Sequence, residues 1–129
     1  MTLASRGGAV SLFGLPVGRW TARELIGAIT DAAARRRPLF VTYLNAHNVN
    51  VRSRDTRYAE TLARADILYA DGMSLVWASR WLCGRPLPER VSAADFFEEF
   101  CCEAARRGLR LALIGSAPGV ARRCASRMS

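Results

Sequence analysis

The chain has 129 residues, half of them hydrophobic, and a net charge of +8. That bounds it to one domain with a core of its own and excludes a disordered chain. Its longest apolar runs fall far short of the ~20 residues a membrane-spanning helix needs.

All of the positive charge is arginine, with no lysine anywhere. A positive balance attracts phosphorylated ligands, nucleic acids and anionic membranes. The arginines are scattered through every expected helix, and no ribonucleoprotein signature, zinc finger or helix-turn-helix pattern accompanies them, so no nucleic-acid partner is expected. The four cysteines show no metal spacing, Cys101 and Cys102 being adjacent, and are expected to be buried, reduced thiols.

Residues 1–8 are small and polar and read as a flexible tail, with no apolar signal core, so folding is expected to begin in the cytoplasm. Ala9 to Phe13 suits a short strand, and Gly14-Leu15-Pro16-Val17-Gly18 reads as a turn-rich connection. Thr21 and Glu24 form a capping box for a helix that carries Leu25, Ile26, Ile29 and Ala33 inward. That helix runs into Arg35-Arg36-Arg37 and is stopped by Pro38. Cations suit a helix carboxyl end, so the basic triplet reads as a terminus before a binding patch.

Leu39 to Leu44 is a β-rich run that feeds Asn45-Ala46-His47-Asn48-Val49-Asn50. Asn45 can cap the next helix; amides so dense at a strand end also suit a sugar or ribose. His47, the only histidine, is weak ground for catalysis by itself. Asp55 caps a further helix with Tyr58, Leu62 and Ala65 on its apolar face.

Ile67 to Ala70 reads as a buried strand that stops at Asp71-Gly72, where a helical pattern from Met73 to Cys83 begins. In an open α/β sheet Asp71 then lies at the carboxyl end of a strand, where such folds bind ligands. Its carboxylate can cap the helix or accept a substrate proton. Arg85-Pro86-Leu87-Pro88-Glu89-Arg90-Val91 follows as a proline-stiffened loop, able to hold a guanidinium towards a phosphate.

Ser92 and Asp95 resemble an N-cap and a first-turn acid for a helix carrying Phe96, Phe97, Phe100, Cys101 and Ala104 inward and ending at Gly108. Leu109 to Ile114 suits a further inner strand, and Gly115-Ser116-Ala117-Pro118-Gly119 a glycine-bearing turn opening a last helix, Val120 to Met128. Such a turn at a helix start is a plausible phosphate or ribose cradle. The alternation predicts an α/β fold, a mostly parallel Rossmann-like sheet with helices on both faces.

Several of these segments together resemble the bacterial WecG/TagA/CpsF glycosyltransferase family. They are Phe13-Gly14-Leu15-Pro16-Val17 with Thr21, the strand into Asn45-Ala46-His47-Asn48, and Ala65-Asp66-Ile67 leading to Asp71-Gly72 and Val76-Trp77-Ala78. Pro86-Leu87-Pro88-Glu89-Arg90-Val91, Asp95 and Leu113 to Gly119 complete the set. The resemblance spans residues 9–129 and implies a glycosyltransferase domain truncated at its carboxyl end, because the family continues into a second sheet half and a basic membrane-binding appendage. A chain that ended at Ser129 is expected to have little activity, as an inactive fragment or a non-catalytic nucleotide-sugar binding module.

The activity implied is hexosyl or N-acetylmannosaminyl transfer from a UDP-sugar donor to a polyprenyl-diphosphate-linked acceptor, with inversion, in cell-surface polysaccharide or teichoic acid synthesis. The enzyme would sit peripherally on the cytoplasmic face of the inner membrane, as a possible homo-oligomer. Asp71 corresponds to the family's general base, Arg90 to its diphosphate-contacting arginine and Asn45 to its strand-end asparagine. Thr42, His47, Gly72 and Asp95 are expected substrate-binding positions, and Gly115, Ser116 and Gly119 nucleotide-sugar-binding ones. The family's Asp-Gly-x-Gly is Asp71-Gly72-Met73-Ser74 here, and its Thr-Gly-x-Asp is Ser92-Ala93-Ala94-Asp95. No Asp-x-Asp pair is present, so no metal or other cofactor is expected.

Overall fold

The computed structural model describes residues 7–128. Most of the expected tail, residues 1–6, lies outside them. Gly7 and Gly8 are held in place: their carbonyls accept from Arg19 Nη1 at 3.1 Å and Arg19 N at 3.0 Å.

The first element is a hairpin. β1 (Ala9–Leu12) pairs antiparallel with β2 (Leu15–Gly18), Leu12 opposite Leu15 and Ala9 opposite Gly18. The stretch read as a connection is therefore a strand. Pro16 is tolerated because its missing N–H falls on an outer edge of the two-stranded sheet. Phe13 and Gly14 make the two-residue turn at φ 52° and 74°, the left-handed pair that suits strand twist. Glycine accepts that conformation freely, whereas the bulky Phe13 does not. Arg52 Nη1 donates to the Phe13 carbonyl at 2.7 Å and pins the turn.

α1 (Ala22–Ala34) opens with the expected capping box: Thr21 Oγ1 accepts from Glu24 N, and Glu24 Oε2 accepts from Thr21 N at 3.0 Å. β3 (Val41–Leu44) then pairs in parallel with β4 (Ile67–Ala70), Val41 beside Ile67 and Leu44 beside Ala70. Between them run α2 (Ala46–Arg52) and α3 (Thr56–Ala63), capped by Asn45 and Asp55. α4 (Met73–Leu82), α5 (Ala93–Arg106) and α6 (Val120–Met128) follow. Among the described residues no helix is long and apolar enough to cross a membrane.

Every residue of β4 is buried, as a strand covered on both faces requires. On one face Leu68 and Ala70 pack with Leu44, Leu62, Leu75, Val76 and the inward side of the hairpin. On the other Ile67 and Tyr69 meet Trp20, Leu25 and Val91, with Phe96 of α5 against them. Leu25, Leu44 and Ile67 have no exposed surface, and burying a side chain of that size contributes about 1.5–3 kcal/mol. α1 and α5 are also joined at the surface, where Arg107 bridges Asp31 and Glu103. Hydrogen bonds from Arg106 and Arg107 hold the Glu103 carboxyl below its usual range.

The structure is thus a mixed α/β fold whose parallel sheet, among the described residues, has two strands. Leu109 to Ile114, expected as a further strand, joins no ladder. Its apolar residues suit a strand, but a strand also needs a neighbour supplying carbonyls and N–H groups, and among the described residues no strand pairs with it. Leu111 is 45% exposed and Ile114 98%. The four thiols are free, three of them half-buried and Cys102 exposed, so they are not the core residues expected. The phenylalanines of α5 are likewise half-buried, and only Ala104 of that helix is fully covered.

Candidate functional site

The site is assembled where β3 and β4 end side by side. Asp71 N donates to the Leu44 carbonyl at 2.9 Å, which continues the parallel pairing one step beyond Ala70 and holds Asp71 against the start of α2. Asn45 follows Leu44, so the asparagine and the aspartate leave adjacent strand ends.

The capping reading of Asp71 is decided by Gly72. The N-cap of α4 is Gly72, at φ 120° and ψ 139°, and no side chain caps that helix. This backbone lies in a region reserved for glycine, so a side chain at 72 would be strained. Among the described residues the half-buried Asp71 carboxylate makes no hydrogen bond or ion pair. Asn45 is different. Its side chain does cap α2, Oδ1 accepting from Asn48 N at 2.8 Å.

Asn48 was not singled out by sequence, yet it is the buried member of the amide cluster. Its Nδ2 donates to the Tyr43 carbonyl at 3.2 Å, tying α2 back to the strand that precedes it. His47, on the first turn of α2, is exposed. Thr42 lies within β3 opposite Leu68, two residues short of the strand end, and so is set back from Asp71.

The loop from Arg85 to Val91 is tied down at four places. Arg19 Nε donates to Pro86 O at 2.8 Å, and Leu87 N donates to Ser79 Oγ at 2.9 Å. Glu89 Oε1 accepts from Ala22 N at 2.8 Å, a carboxylate at the start of α1 where the helix dipole favours it. Val91 N donates to Ala70 O at 3.1 Å. The last of these attaches the loop to the residue before Asp71, which brings Arg90 to the same sheet end. The Arg90 guanidinium pairs with Asp95, in the first turn of α5, so two expected binding residues face each other.

Ser79 makes the tether possible. It is fully buried on α4, donates to Val76 O at 2.7 Å and accepts from Leu87 N. Ser79→Ala would leave the Leu87 N–H buried without a partner, and a loss of about 1–3 kcal/mol in unfolding free energy is expected in urea titrations.

Tyr69 sits beneath the site, its ring edge-on to Phe96 at 6.4 Å and tilted against Tyr43 at 6.2 Å. Burial, then the nearby Asp71 charge, then Tyr43 push its phenol from 10.0 up to about 12. The unfolded chain would therefore lose this proton first. Stability is unaffected by Tyr69 below about pH 10 and falls as pH rises from there through about 12. Alkaline thermal melts of Tyr69→Phe should lack that part of the fall.

Gly115, Ser116 and Gly119 adopt positive φ of 126°, 64° and 86° and open α6 as expected. Among the described residues no hydrogen bond or ion pair links them to β3, β4 or the Arg90 loop. The structure thus brings together Asp71, Gly72, Asn45, Arg90 and Asp95, sets Thr42 back, and leaves the glycine turn as a separate feature. Compared with known proteins, residues 10–129 match the sequence model of the Glycosyl transferase WecG/TagA/CpsF family.

Proposed function

The chain belongs to the WecG/TagA/CpsF glycosyltransferase family, and from that premise we propose that it transfers a sugar from a UDP-sugar to a polyprenyl-diphosphate-linked saccharide. The setting would be the cytoplasmic face of the inner membrane, in cell-surface polysaccharide synthesis. The fold would be Rossmann-like. The observation that carries the proposal is the half-buried Asp71 carboxylate, without a hydrogen-bond or ion-pair partner among the described residues, at the end of β4 to which the loop bearing Arg90 is tethered.

An acceptor hydroxyl is a poor nucleophile at neutral pH. A carboxylate within hydrogen-bond reach takes its proton as the new glycosidic bond forms, and the donor's bond to the UDP oxygen breaks. One base acting in a direct displacement inverts the sugar carbon. Arg90 would bind diphosphate oxygens and neutralise charge as the leaving group departs. Asn45 would turn its amide nitrogen to a sugar or ribose hydroxyl while its oxygen stays on the helix. Asp95 would hold the Arg90 fork in place until the diphosphate arrives.

The test is transfer of label from a panel of UDP-sugars to a short-chain polyprenyl-diphosphate saccharide. A labelled lipid-linked product with one donor is expected. UDP-dependent thermal stabilisation without any product would make the chain a non-catalytic nucleotide-sugar binding module instead.

A further inference from the structure

α4 is amphipathic in an unusual sense. It buries Leu75, Val76 and Ser79 against the sheet and turns Met73, Trp77, Arg80 and Trp81 outward. At about 100° per residue these four fall on one stripe. Trp77 is 55% exposed and Trp81 88%. Single apolar residues on a surface are ordinary, but Met73, Trp77 and Trp81 are spaced four apart and line one exposed face of a short helix.

The charge within the segment that carries the stripe is of one sign. From Gly72 to Pro88 there is no acidic residue, while Arg80 lies between the two tryptophans along the helix and Arg85 follows its end. Tryptophan, methionine and arginine also recur at protein interfaces, so it is the excess of positive charge that selects an anionic bilayer as the occupant. Tryptophan rings interspersed with arginine suit the headgroup layer of a bilayer, where rings sit at the polar boundary and guanidinium groups reach the phosphates. The chain's overall charge of +8 acts in the same direction.

We infer that the outer stripe of α4 is a docking surface for an anionic lipid bilayer, with Trp77 and Trp81 seated at headgroup depth. The inference rests on the transferase proposal only for its purpose. The N-cap of α4, Gly72, directly follows Asp71, so a membrane against this helix would lie beside the site where a lipid-linked diphosphate would enter.

The chain's three tryptophans allow a direct test, since Trp20 is buried and only Trp77 and Trp81 can meet lipid. Vesicles of phosphatidylcholine and phosphatidylglycerol with brominated acyl chains should quench and blue-shift the emission, and phosphatidylcholine vesicles should do so much less. Trp77→Ser/Trp81→Ser should weaken co-sedimentation with the mixed vesicles by at least about tenfold, the factor one large buried apolar side chain contributes. Arg80→Glu should remove the preference for phosphatidylglycerol.

Absence of quenching, or equal vesicle binding by the double variant, overturns the inference. So does a dimer in sedimentation velocity that the double variant abolishes while vesicles remain unbound, because a second copy would then be the occupant. Vesicle binding does not need Asp71. Failure of the wild-type chain to bind vesicles, with intact transfer to a water-soluble acceptor, sinks the docking surface alone, and wild-type docking without transfer sinks the transferase proposal alone.

Discussion

Asp71→Asn is expected to lower the transfer rate by about 10²–10⁴-fold, the usual contribution of a positioned general base. Asparagine keeps the shape and the backbone bond from residue 71 to Leu44 O, which fixes the strand end. What it removes is a lone pair basic enough to take a proton. The carboxylate has no hydrogen bond or ion pair to lose among the described residues, and the cap of α4 is Gly72. The melting temperature should therefore stay at the wild-type value. Near-normal turnover by this variant would remove Asp71 from the chemistry, and a large fall in stability would restore a structural role.

The second large effect is expected at Arg90. Arg90→Ala should cost about 10²–10³ in kcat/KM, the scale of losing one charge-stabilising donor. In the structure the guanidinium pairs with Asp95 at side-chain exposures of 43% and 60%. A pair so exposed is worth about 0–1 kcal/mol. Charge-assisted bonds from arginine to a diphosphate are stronger than that, so the substrate can displace Asp95 at little cost. Arg90→Lys should recover only part of the rate, because lysine keeps the charge and loses the planar fork. Steady-state kinetics with varied donor, then varied acceptor, would show which diphosphate Arg90 meets. An unchanged kcat/KM for Arg90→Ala on both would exclude it from the site.

How much of this was legible in the sequence depended on the range of the interactions. The caps at Thr21, Asn45 and Asp55 are contacts across three residues, and all appear as the local pattern implies. The start of α6 at Val120 and the turn at Gly108, with φ 65°, are equally local. The β2 strand was hidden because Gly14, Pro16 and Gly18 carry turn signals, and a two-residue hairpin with Phe13 at its tip lacks the usual asparagine or glycine there. Leu109 to Ile114 failed in the opposite direction. Its composition favours a strand, but pairing is decided by what lies beside it.

The same division runs through the site. Asp71 at a strand end followed from an apolar run stopped by Asp-Gly, and the structure agrees on that position. Whether it caps α4 depended on the φ of Gly72, which no residue pattern discloses. The Arg90–Asp95 pair and the buried Ser79 tether could not be read at all, since each depends on how a loop folds over a helix.

That loop is held chiefly through its main chain. Pro86 offers a carbonyl, Leu87 and Val91 offer N–H groups, and the partners on Arg19, Ser79 and Ala70 belong to other elements; Glu89 adds its carboxylate, Leu87 and Val91 bury their side chains, and Arg90 reaches only the exposed Asp95. The address of the loop is thus written elsewhere in the molecule. Position 90 behaves as an interchangeable fitting on a fixed bracket. A library of residues there would vary the headgroup chemistry offered to a substrate without moving the frame, which makes this the natural place to re-engineer what the protein accepts.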